Sequence, residues 1–534
     1  YVSSMSLIPN FNTFTNFIAL NTSAAAQASL GSNGGGEDQI ALEGYFLRAN
    51  YNYDSRYFVS ASVRTDGSSK FKNVSDRWGW FWSLGGAWRI SNEEWIKDAS
   101  WLTDLKLRAD YGTTGNQSGI GNYAGYTTWG YAATGWLNSG ASMPSGWKLT
   151  QNAMANSSLT WETKKTWDVG LDFRLWDRFY GTLDWYQTNT TDMIWNAPTN
   201  YAATGQSSIA ANSAELRTRG FEFELGVDII KTPDILWSFG VNGAHYKTIL
   251  TKVPEGTGSD KLNGMWEANP DGWTAAGTGT ISNGAFYLRG VGKPYYNVYQ
   301  YLYGGVDQAT GLPLISSTVT SENIEALRAS HYVGDLKEGN MVYTTNHSLA
   351  TRQEIGDATP KLIGGFNTSF RWKDLDFAAT FAFQIGGKFF SNSYALYYYD
   401  DTTPGYLVSE DLRNNTWTAT NTSAKYPMMM YANPNGDSYT YGASIGSWAY
   451  TDMSLFDASY LSVKNITVGY NFPQKWMDKI GIGGIRVYAS FDNFWMLTTH
   501  KGIDPRMSLV GGMDVGAMAY PYMRTCSLGV NVTF

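Results

Sequence analysis

Residues 221 to 229 read Phe-Glu-Phe-Glu-Leu-Gly-Val-Asp-Ile, and apolar and polar positions alternate along the whole stretch. Residues 167–175 (WDVGLDFRL) and 485–492 (IRVYASFD) repeat this pattern. Because successive side chains of a β-strand point to opposite faces, each segment predicts a strand with one apolar and one polar face. The period alone fits two classes of protein, a soluble sheet with one wet face and a membrane β-barrel.

The length of the alternating segments favours the membrane barrel. Strands of soluble proteins average about 5–6 residues, whereas the longer segments here run for about nine. A lipid band about 25 Å tall, crossed at a tilt of about 40°, needs about ten residues at about 3.3 Å each. No apolar run in the chain approaches the ~18 residues of a membrane helix.

Fifteen segments are candidate membrane crossings, and the links between them alternate in length. Outer-membrane barrels have short periplasmic turns and long extracellular loops, so this alternation predicts an all-β, antiparallel transmembrane barrel. The candidate crossings are 39–53, 57–66, 78–90, 104–114, 159–176, 178–191, 216–230, 235–249, 281–291, 294–306, 361–373, 375–387, 456–472, 484–498 and 522–534. The short links are 54–56, 177, 231–234, 292–294 and 374. The long links are 67–77, 115–158, 192–215, 250–280, 307–360, 388–455 and 499–521.

Composition excludes several other classes. Aromatic residues make up 16% of the chain, too many for a disordered protein. The net charge of −7 leaves no basic stripe to neutralise nucleic-acid phosphates. A single cysteine, Cys526, excludes a disulfide framework and a Cys-rich metal site. The four histidines are scattered and form no HExxH pair, so we expect no metal site and no cofactor.

The stretch from 47 to 71 (LRANYNYDSRYFVSASVRTDGSSKF) resembles the barrel hallmark of SusC-like TonB-dependent transporters, the nutrient importers of Bacteroidetes outer membranes. The amphipathic final strand 522–534, which ends on Phe534, resembles the recognition signal of outer-membrane barrels. Further matches follow in family order: RWGWF at 77–81, AWRIS at 87–91, LKLRADYGTTGNQ at 105–117, IGNY at 120–123, LTWETK at 159–164, GLDF at 170–173, RGFE at 219–222, YLSVKNITVGYNFP at 460–473, RVYAS at 486–490, Asp492-Asn493 and GIDP at 502–505.

The resemblance implies a 22-stranded barrel, of which residues 39–534 would form about the last 15 strands. Residues 1–38, with Ser23-Ala-Ala-Ala and Gly34-Gly-Gly, are interpreted as an extracellular loop segment after a break. The plug domain, the TonB box and the first half of the barrel are expected outside this chain. The sequence is equally compatible with three origins of this break: a natural cut, a split gene, or a first half of the barrel that lies outside the present sequence.

The polar faces of the predicted strands carry charges of both signs. A large barrel holds water or a plug, so we interpret these residues as a hydrated lumen wall, and some of them as contacts to the plug. The residues are Arg64, Asp66, Asp168, Asp172, Arg174, Asp184, Glu222, Glu224, Asp228, Arg486 and Asp492.

Aromatic residues in the long loops are the candidates for cargo binding. Flat ring faces stack on sugars or cover apolar peptide side chains, although packing within the loops or against a partner also favours Trp and Tyr. The candidates are Trp129, Trp136, Trp147, Trp266, Trp273, Tyr397, Tyr398 and Tyr399.

No catalytic constellation is evident, so we expect no enzyme. The resemblance implies active import of oligosaccharides or oligopeptides through the outer membrane. A SusD-like surface lipoprotein and TonB would be the partners. The alternative is a passive porin or an adhesive surface scaffold without energy coupling, and the sequence upstream of Tyr1 would discriminate between the two. The loop 115–158 has one Lys and no Arg, which predicts a neutral or weakly charged cargo, a glycan ahead of a peptide.

Overall fold

The structure, a computed structural model, is dominated by one antiparallel sheet of thirteen strands in which neighbours along the sheet are also neighbours along the chain. It describes residues 39–133, 147–206, 208–254, 266–269, 272–275, 286–391, 394, 409–428, 451–499, 504–509, 513–514 and 522–534. The predicted loop segment 1–38 lies outside these residues. We label the strands of this sheet β1 (Leu42–Tyr53), β2 (Tyr57–Ser68), β3 (Trp78–Arg89), β4 (Leu102–Asn116), β5 (Glu162–Leu175), β6 (Phe179–Pro198), β7 (Ser208–Lys231), β8 (Ile235–Lys252), β9 (Leu362–Trp372), β10 (Leu375–Ile385), β11 (Tyr460–Asn471), β12 (Gly484–Thr498) and β13 (Thr525–Thr533).

Four of the five predicted short links, 54–56, 177, 231–234 and 374, lie at one end of the sheet; the fifth, 292–294, was wrong, because it lies within the long link between β8 and β9. The end with the four links has only short or moderate connections, 54–56, 90–101, 176–178, 232–234, 373–374 and 472–483. We call it the turn end, and the opposite end the loop end. Asp54 and Ser55 have φ of 53° and 52°, and Trp176 and Asp177 have φ of 51° and 53°. Two successive left-handed residues match the right-handed twist of the flanking strands, which fixes the register of these hairpins.

The alternating apolar and polar residues lie on opposite faces of the sheet. Val169, Trp185 and Phe221 are in register across β5, β6 and β7, and between 42% and 47% of each residue is exposed. The adjacent row, at 170, 184 and 222, carries the polar set on the opposite face. An exposed row of large apolar side chains is what a lipid-facing wall requires, since it is buried only by hydrocarbon.

Two of the fifteen predicted crossings, 281–291 and 294–306, were wrong. β8 pairs directly with β9, so no strand lies between them. Phe286–Arg289 and Asn297–Gln300 are instead four-residue strands of a separate small sheet, too short to cross a membrane. Their apolar residues, such as Tyr287 and Val298, are buried in a loop core, which produces the same alternation as burial in lipid.

The predicted long link 192–215 was also wrong. β6 continues to Pro198 and β7 begins at Ser208, so most of this segment extends the ladder beyond the predicted crossings. The ladder shifts register around Met193, next to Asp192 at φ 56°. Such an irregularity lets a strand pair bend while its pairing continues.

The two longest links, 253–361 and 386–459, fold together at the loop end, and we call their described residues the cap. The cap has a shared buried core of Tyr287, Val298, Tyr301, Ile315, Ala358, Phe390, Leu412 and Tyr426. Residues on both links contribute to it, so burial of these side chains, at about 1.5–3 kcal/mol each, holds the two links together.

Small strands and short helices complete the described structure. The remaining strands are Thr128–Ala133 with Trp147–Ala153; Trp266–Asn269, Gly272–Ala275, Phe286–Arg289, Asn297–Gln300 and Gln353–Asp357; Tyr303–Val306, Pro313–Thr318, Tyr332–Val333 and Met341–Thr344; and Lys388–Phe390, Leu455–Asp457, Ser508–Leu509 and Met513–Asp514. The α-helices are Val74–Arg77, Tyr201–Thr204, Ile324–Arg328, Leu412–Asn415 and Gln474–Ile480, and the 3₁₀ turns are Ile90–Asn92, His347–Leu349, Asp452–Ser454 and Pro505–Met507. Within the described ranges, no helix is long and apolar enough to span a membrane.

Candidate functional site

The polar face of the sheet has a charge network centred on Arg108 of β4. Its guanidinium contacts three carboxylates, at 3.0 Å to Asp172, 3.5 Å to Asp168 and 2.6 Å to Asp184. Lys106, two residues earlier on the same face, lies 3.8 Å from Asp172. Side chains on three adjacent strands are therefore joined by one arginine, whose planar fork suits several acceptors at once.

A glycine in the middle strand makes this network sterically feasible. Gly170 of β5 lies between Arg108 and Asp184 in the register, and a Cβ built on it would be 2.5 Å from Asp184 Oδ1. The same arrangement recurs at Gly469 of β11, over which Arg486 Nη2 reaches Asp376 Oδ2 at 2.6 Å. The glycines leave open space above the sheet through which a charged pair can bridge alternate strands.

A groove of about 460 Å³ continues along the polar face from this network. Its polar lining includes Thr182, Asp184, Glu222, Glu224, Asn242 and Tyr460. Its described lining has three carboxylates and no Lys or Arg, so these walls attract cations and hydrogen-bond donors such as hydroxyl and amide groups. Among the described residues, no cluster of three or more His, Cys, Asp or Glu side chains is suited to a metal ion.

The charges predicted for the lumen wall fall into two groups on this face. Asp168, Asp172 and Asp184 belong to the Arg108 network, Glu222 and Glu224 line the groove, and Arg486 pairs with Asp376. Arg64 pairs with Asp66 at 2.6 Å, and Asp492 accepts a hydrogen bond from Asn465 at 2.7 Å.

The second group lies near the turn end. Arg174 pairs with Asp177 at 3.4 Å, and Asp228 accepts a hydrogen bond from Ser238 at 2.8 Å. These partners are within the sheet and its turns, so Arg174 and Asp228 have local roles. Contact between any residue of either group and a plug stays a prediction.

Sequence reasoning missed the centre of the network. Lys106, Arg108 and Asp110 alternate with Leu105, Leu107 and Ala109, which is the same period as in the segments that were singled out. This alternation was a sufficient signal. The bridging role of Gly170 had no signal in a single sequence, because it depends on the register of three strands.

The predicted cargo-binding aromatics are divided between described strands and undescribed segments. Trp129 and Trp147 belong to the paired strands Thr128–Ala133 and Trp147–Ala153. Trp266 and Trp273 belong to two short strands of the cap that pair with each other. The residues outside the described ranges are Trp136, Tyr397, Tyr398 and Tyr399. Cargo contact by any of the eight stays a prediction.

Burial perturbs the titratable groups of the cap. It raises the pKa of Tyr301 to about 12 and lowers the pKa of Arg352 to about 10. It also raises the pKa of the Asp452 carboxyl and lowers the pKa of the His347 imidazole. Each shift favours the neutral form, as expected when water is removed from a group that would carry charge.

The sheet therefore has the features of the wall of an outer-membrane β-barrel: an exposed apolar face, a polar face with bridging ion pairs, and long folded loops at one end. The chain belongs to the family described as TonB dependent receptor-like, beta-barrel, whose sequence model matches residues 6–321, more than half of the chain. Family membership places the protein in the bacterial outer membrane.

Curated relatives and solved structures agree with this assignment. The chain is 29% identical over 508 residues to TonB-dependent receptor P3 of Formosa agariphila, and 28% identical over 499 residues to TonB-dependent receptor SusC of Bacteroides thetaiotaomicron. These alignments cover 93% and 92% of this chain but 46% and 44% of the relatives, so the chain spans about half their length. A solved structure of the RagAB peptide transporter matches with a TM-score of 0.70 and 26% identity, over 93% of this chain and 48% of that one.

Proposed function

We propose that the full-length protein imports oligomeric cargo across the outer membrane, as the channel subunit of a complex with a surface lipoprotein. The folded cap carries this proposal. Its two links share a core that includes Tyr287 and Phe390, so the described part of the cap offers a folded surface that a lid-like partner can dock on. A passive pore needs only a mouth that solutes can enter.

The proposed energy source is TonB, acting through a plug that enters the barrel beside the polar wall. The Arg108 network and the groove next to it supply charges of both signs for such a plug to contact. The family assignment supports TonB dependence in general. We place residues 39–534 in the C-terminal part of the barrel, and the plug, the TonB-binding segment and the rest of the barrel in the remainder of the full-length protein.

The proposed cargo is a neutral or weakly charged oligosaccharide. The loop 115–158 combines three Trp and three Tyr with one Lys and no Arg, which favours ring stacking over recognition of strong anions. The carboxylates of the groove can accept hydrogen bonds from sugar hydroxyls.

An oligopeptide is the second candidate. The solved neighbour with a TM-score of 0.70 is described as a peptide transporter, and its identity to this chain, 26%, is close to the 28% identity to SusC. Extended peptides and glycans offer similar hydrogen-bonding groups to a polar wall. Similarity at this level therefore supports both cargo classes.

Purification of the protein from native outer membranes tests the partner and the energy source. We expect a lipoprotein to copurify, and uptake of labelled oligomers by cells to stop when TonB is deleted or the proton gradient is collapsed. Uptake that continues unchanged without TonB would favour the passive porin. Copurification of neither a lipoprotein nor bound oligomers, with no uptake, would favour a surface scaffold.

A further inference from the structure

Arg289, at the end of the short strand Phe286–Arg289, is a buried arginine that has no counter-ion among the residues that the structure describes. It is 6% exposed, and its Nε and Nη1 atoms have no hydrogen-bond partner within the same residues. A buried ionised group is normally paired, because removing its hydration costs several kcal/mol.

Three tyrosine rings surround the guanidinium instead. Its Cζ lies 3.8 Å from the ring centroid of Tyr295, 5.2 Å from that of Tyr287 and 5.9 Å from that of Tyr296. The guanidinium lies over the face of the Tyr295 ring at cation–π distance. The ring contacts supply no oxygen acceptor, so the Nε and Nη1 donors are available to a ligand that carries one.

Two carboxylates on Gln353–Asp357, the strand that pairs with Asn297–Gln300, have other polar partners. Glu354 pairs with Lys293 at 2.6 Å, and Asp357 accepts a hydrogen bond from the backbone N–H of Thr359 at 2.9 Å. The adjoining strand Asn297–Gln300 adds two further buried side chains with unsatisfied polar atoms, both amide atoms of Asn297 and Nε2 of Gln300. Several unsatisfied polar groups on one hairpin indicate a polar guest, since such groups are rare singly.

The tyrosine cage lies where the cap meets the barrel. Tyr295 packs against the cluster of Leu250 at the loop end of β8, and its backbone N–H donates to Thr248 O at 3.0 Å. Tyr296 packs against the cap core. Burial raises the pKa of Tyr296 to about 12; Tyr295 adds to the rise, Arg289 opposes it, and Tyr246 of β8 makes a smaller contribution. Tyr246 follows the groove residue Ala244 by two positions and lies on the same polar face, so the cage has a neighbour on the polar wall.

We propose that Arg289 binds a carboxylate group of the transported cargo as the cargo passes between cap and barrel. The inference rests on the proposed function and refines it, because it assigns the weak charge of the cargo to one carboxylate. The C-terminus of an oligopeptide and a uronate of an oligosaccharide carry the same group. The tyrosine rings add apolar surface on which the adjoining residue or sugar ring of the cargo packs.

The experiment uses the cargo that the complex itself retains. Oligomers released by denaturing the purified wild-type complex are divided into an untreated pool and a pool whose carboxylates are converted to amides. Both pools are then titrated onto emptied wild-type complex, Arg289→Gln and, as the matched control, Arg413→Gln at an exposed position of the cap. Mass spectrometry of the amidated pool shows whether the carboxylate is a peptide C-terminus or a uronate.

The proposal predicts that amidation weakens binding to wild type and to Arg413→Gln by about ten- to a hundredfold, as expected for loss of a charge-assisted hydrogen bond. Arg289→Gln should bind both pools equally weakly. Equal binding of the two pools by wild type would overturn the Arg289 inference and leave the import proposal standing. A preference for the untreated pool that survives in Arg289→Gln would also overturn it. Release of no oligomers would remove the import proposal and this inference together.

A second measurement separates binding from a structural role. In the absence of cargo, Arg289→Met removes an unpaired buried charge and keeps an apolar chain between the rings, so thermal stability should stay equal or rise. Arg289→Lys keeps the charge but loses the planar fork, and should bind the untreated pool with intermediate affinity. A lower thermal stability in Arg289→Met, together with an unchanged preference between pools in Arg289→Lys, would assign Arg289 to holding the tyrosines.

Discussion

Arg108 Nη2 lies 2.6 Å from Asp184 Oδ1, although β4 and β6 are separated by β5. The pair passes over Gly170, the residue of β5 that is in register with both. Backbone hydrogen bonds join only adjacent strands, so this ion pair adds a tie between strands that are second neighbours. Gly469, beneath Arg486 and Asp376, provides the same kind of tie in another part of the sheet.

Replacing Gly170 by alanine tests this arrangement. The new methyl group would displace Arg108 and Asp184, and we expect a loss of about 1 kcal/mol in the free energy of unfolding. This is at the lower end of the range for overpacking, because the displaced atoms are the ends of flexible side chains. Urea titration of the full-length protein in lipid vesicles measures the change.

Gly484→Ala is the matched control, because a Cβ built at 484 meets no atom within 4 Å. It should change stability by less than about 0.5 kcal/mol. In the Gly170→Ala background, Asp184→Asn should have almost no further effect. A full effect of Asp184→Asn in that background would show that Arg108 and Asp184 do not meet over Gly170.

The ion pair over Gly469 can be measured by a double-mutant cycle with Arg486→Gln and Asp376→Asn. Both side chains are 31% exposed, so solvent screens the pair and we expect a coupling energy of about 0.5–1 kcal/mol that falls as salt rises. The exposed pair of Arg328 and Glu325 is the control and should give about 0.3 kcal/mol. Equal coupling in the two cycles would show that bridging a strand adds nothing to a surface salt bridge.

The thirteen strands of the sheet were predictable because two independent features of the sequence indicate membrane crossing. One is an apolar–polar alternation long enough to cross the lipid band, as in 221–229. The other is the alternation of short and long links between the strands. The segments 281–291 and 294–306 defeated this reasoning, since the cap uses the same alternation to bury Tyr287 and Val298 in a protein core. Alternation predicts a sheet with one apolar face, but it does not predict whether lipid or protein covers that face.

The candidate site was less predictable, for a physical reason. The charges on the polar face follow from alternation, and most of the eleven predicted residues have polar side-chain partners nearby, such as Arg64 with Asp66. Glu222 and Glu224 line the groove. The cage around Arg289 brings together residues from a hairpin whose neighbours in space are set by the cap fold. A single sequence shows Tyr295 and Tyr296 as two of its 36 tyrosines.

Acidification should weaken the cap around His347. The imidazole is buried, with Nε2 2.9 Å from the carbonyl oxygen of Pro313, and burial lowers its pKa below the ordinary value of about 6.5. Above about pH 6.5 the imidazole is neutral in the folded and the unfolded cap, so it does not change the stability of the cap. As the pH falls below about 6.5, the imidazole of the unfolded cap is protonated first. The folded cap therefore loses stability until the pH reaches the lower pKa of the folded state.

Hydrogen exchange of residues 341–350 at pH 7.5 and 5.5, corrected for intrinsic rates, measures this effect. The wild-type segment should lose protection at the lower pH, and His347→Gln should remove the dependence. His331→Gln, at a side chain that is 56% exposed, should leave it in place. A wild-type segment equally protected at both pH values would contradict the assignment to His347.

Phe390→Ala should detach the two links of the cap while leaving the sheet intact. Phe390 is completely buried in the core that joins 253–361 to 386–459, and its truncation should cost the cap about 3–5 kcal/mol. Limited proteolysis should cut within the cap and spare β9 and β10, and lipoprotein binding should weaken. Val333→Ala, at a position 56% exposed, is the control that should change neither. Wild-type lipoprotein affinity in a proteolytically open cap would show that the partner docks elsewhere.

The last prediction concerns the tryptophans of the loop 115–158. Replacing Trp129, Trp136 and Trp147 together by alanine should weaken cargo binding by a few kcal/mol if about two of them stack, at about 1–3 kcal/mol each by analogy with stacking on bases. The control is Tyr123→Ala with Tyr126→Ala in the same loop, where Tyr123 accepts a hydrogen bond from the Gln39 N–H at 3.0 Å and Lys72 Nζ lies 5.5 Å from the Tyr126 ring. These contacts hold the loop to its neighbours, so the control should lower loop protection against proteolysis more than cargo affinity. Binding isotherms with the oligomers released from the wild-type complex compare the two variants. If the triple variant keeps wild-type affinity, the tryptophans serve packing or contact with the lipoprotein, and cargo selection must reside in the cap and the polar wall.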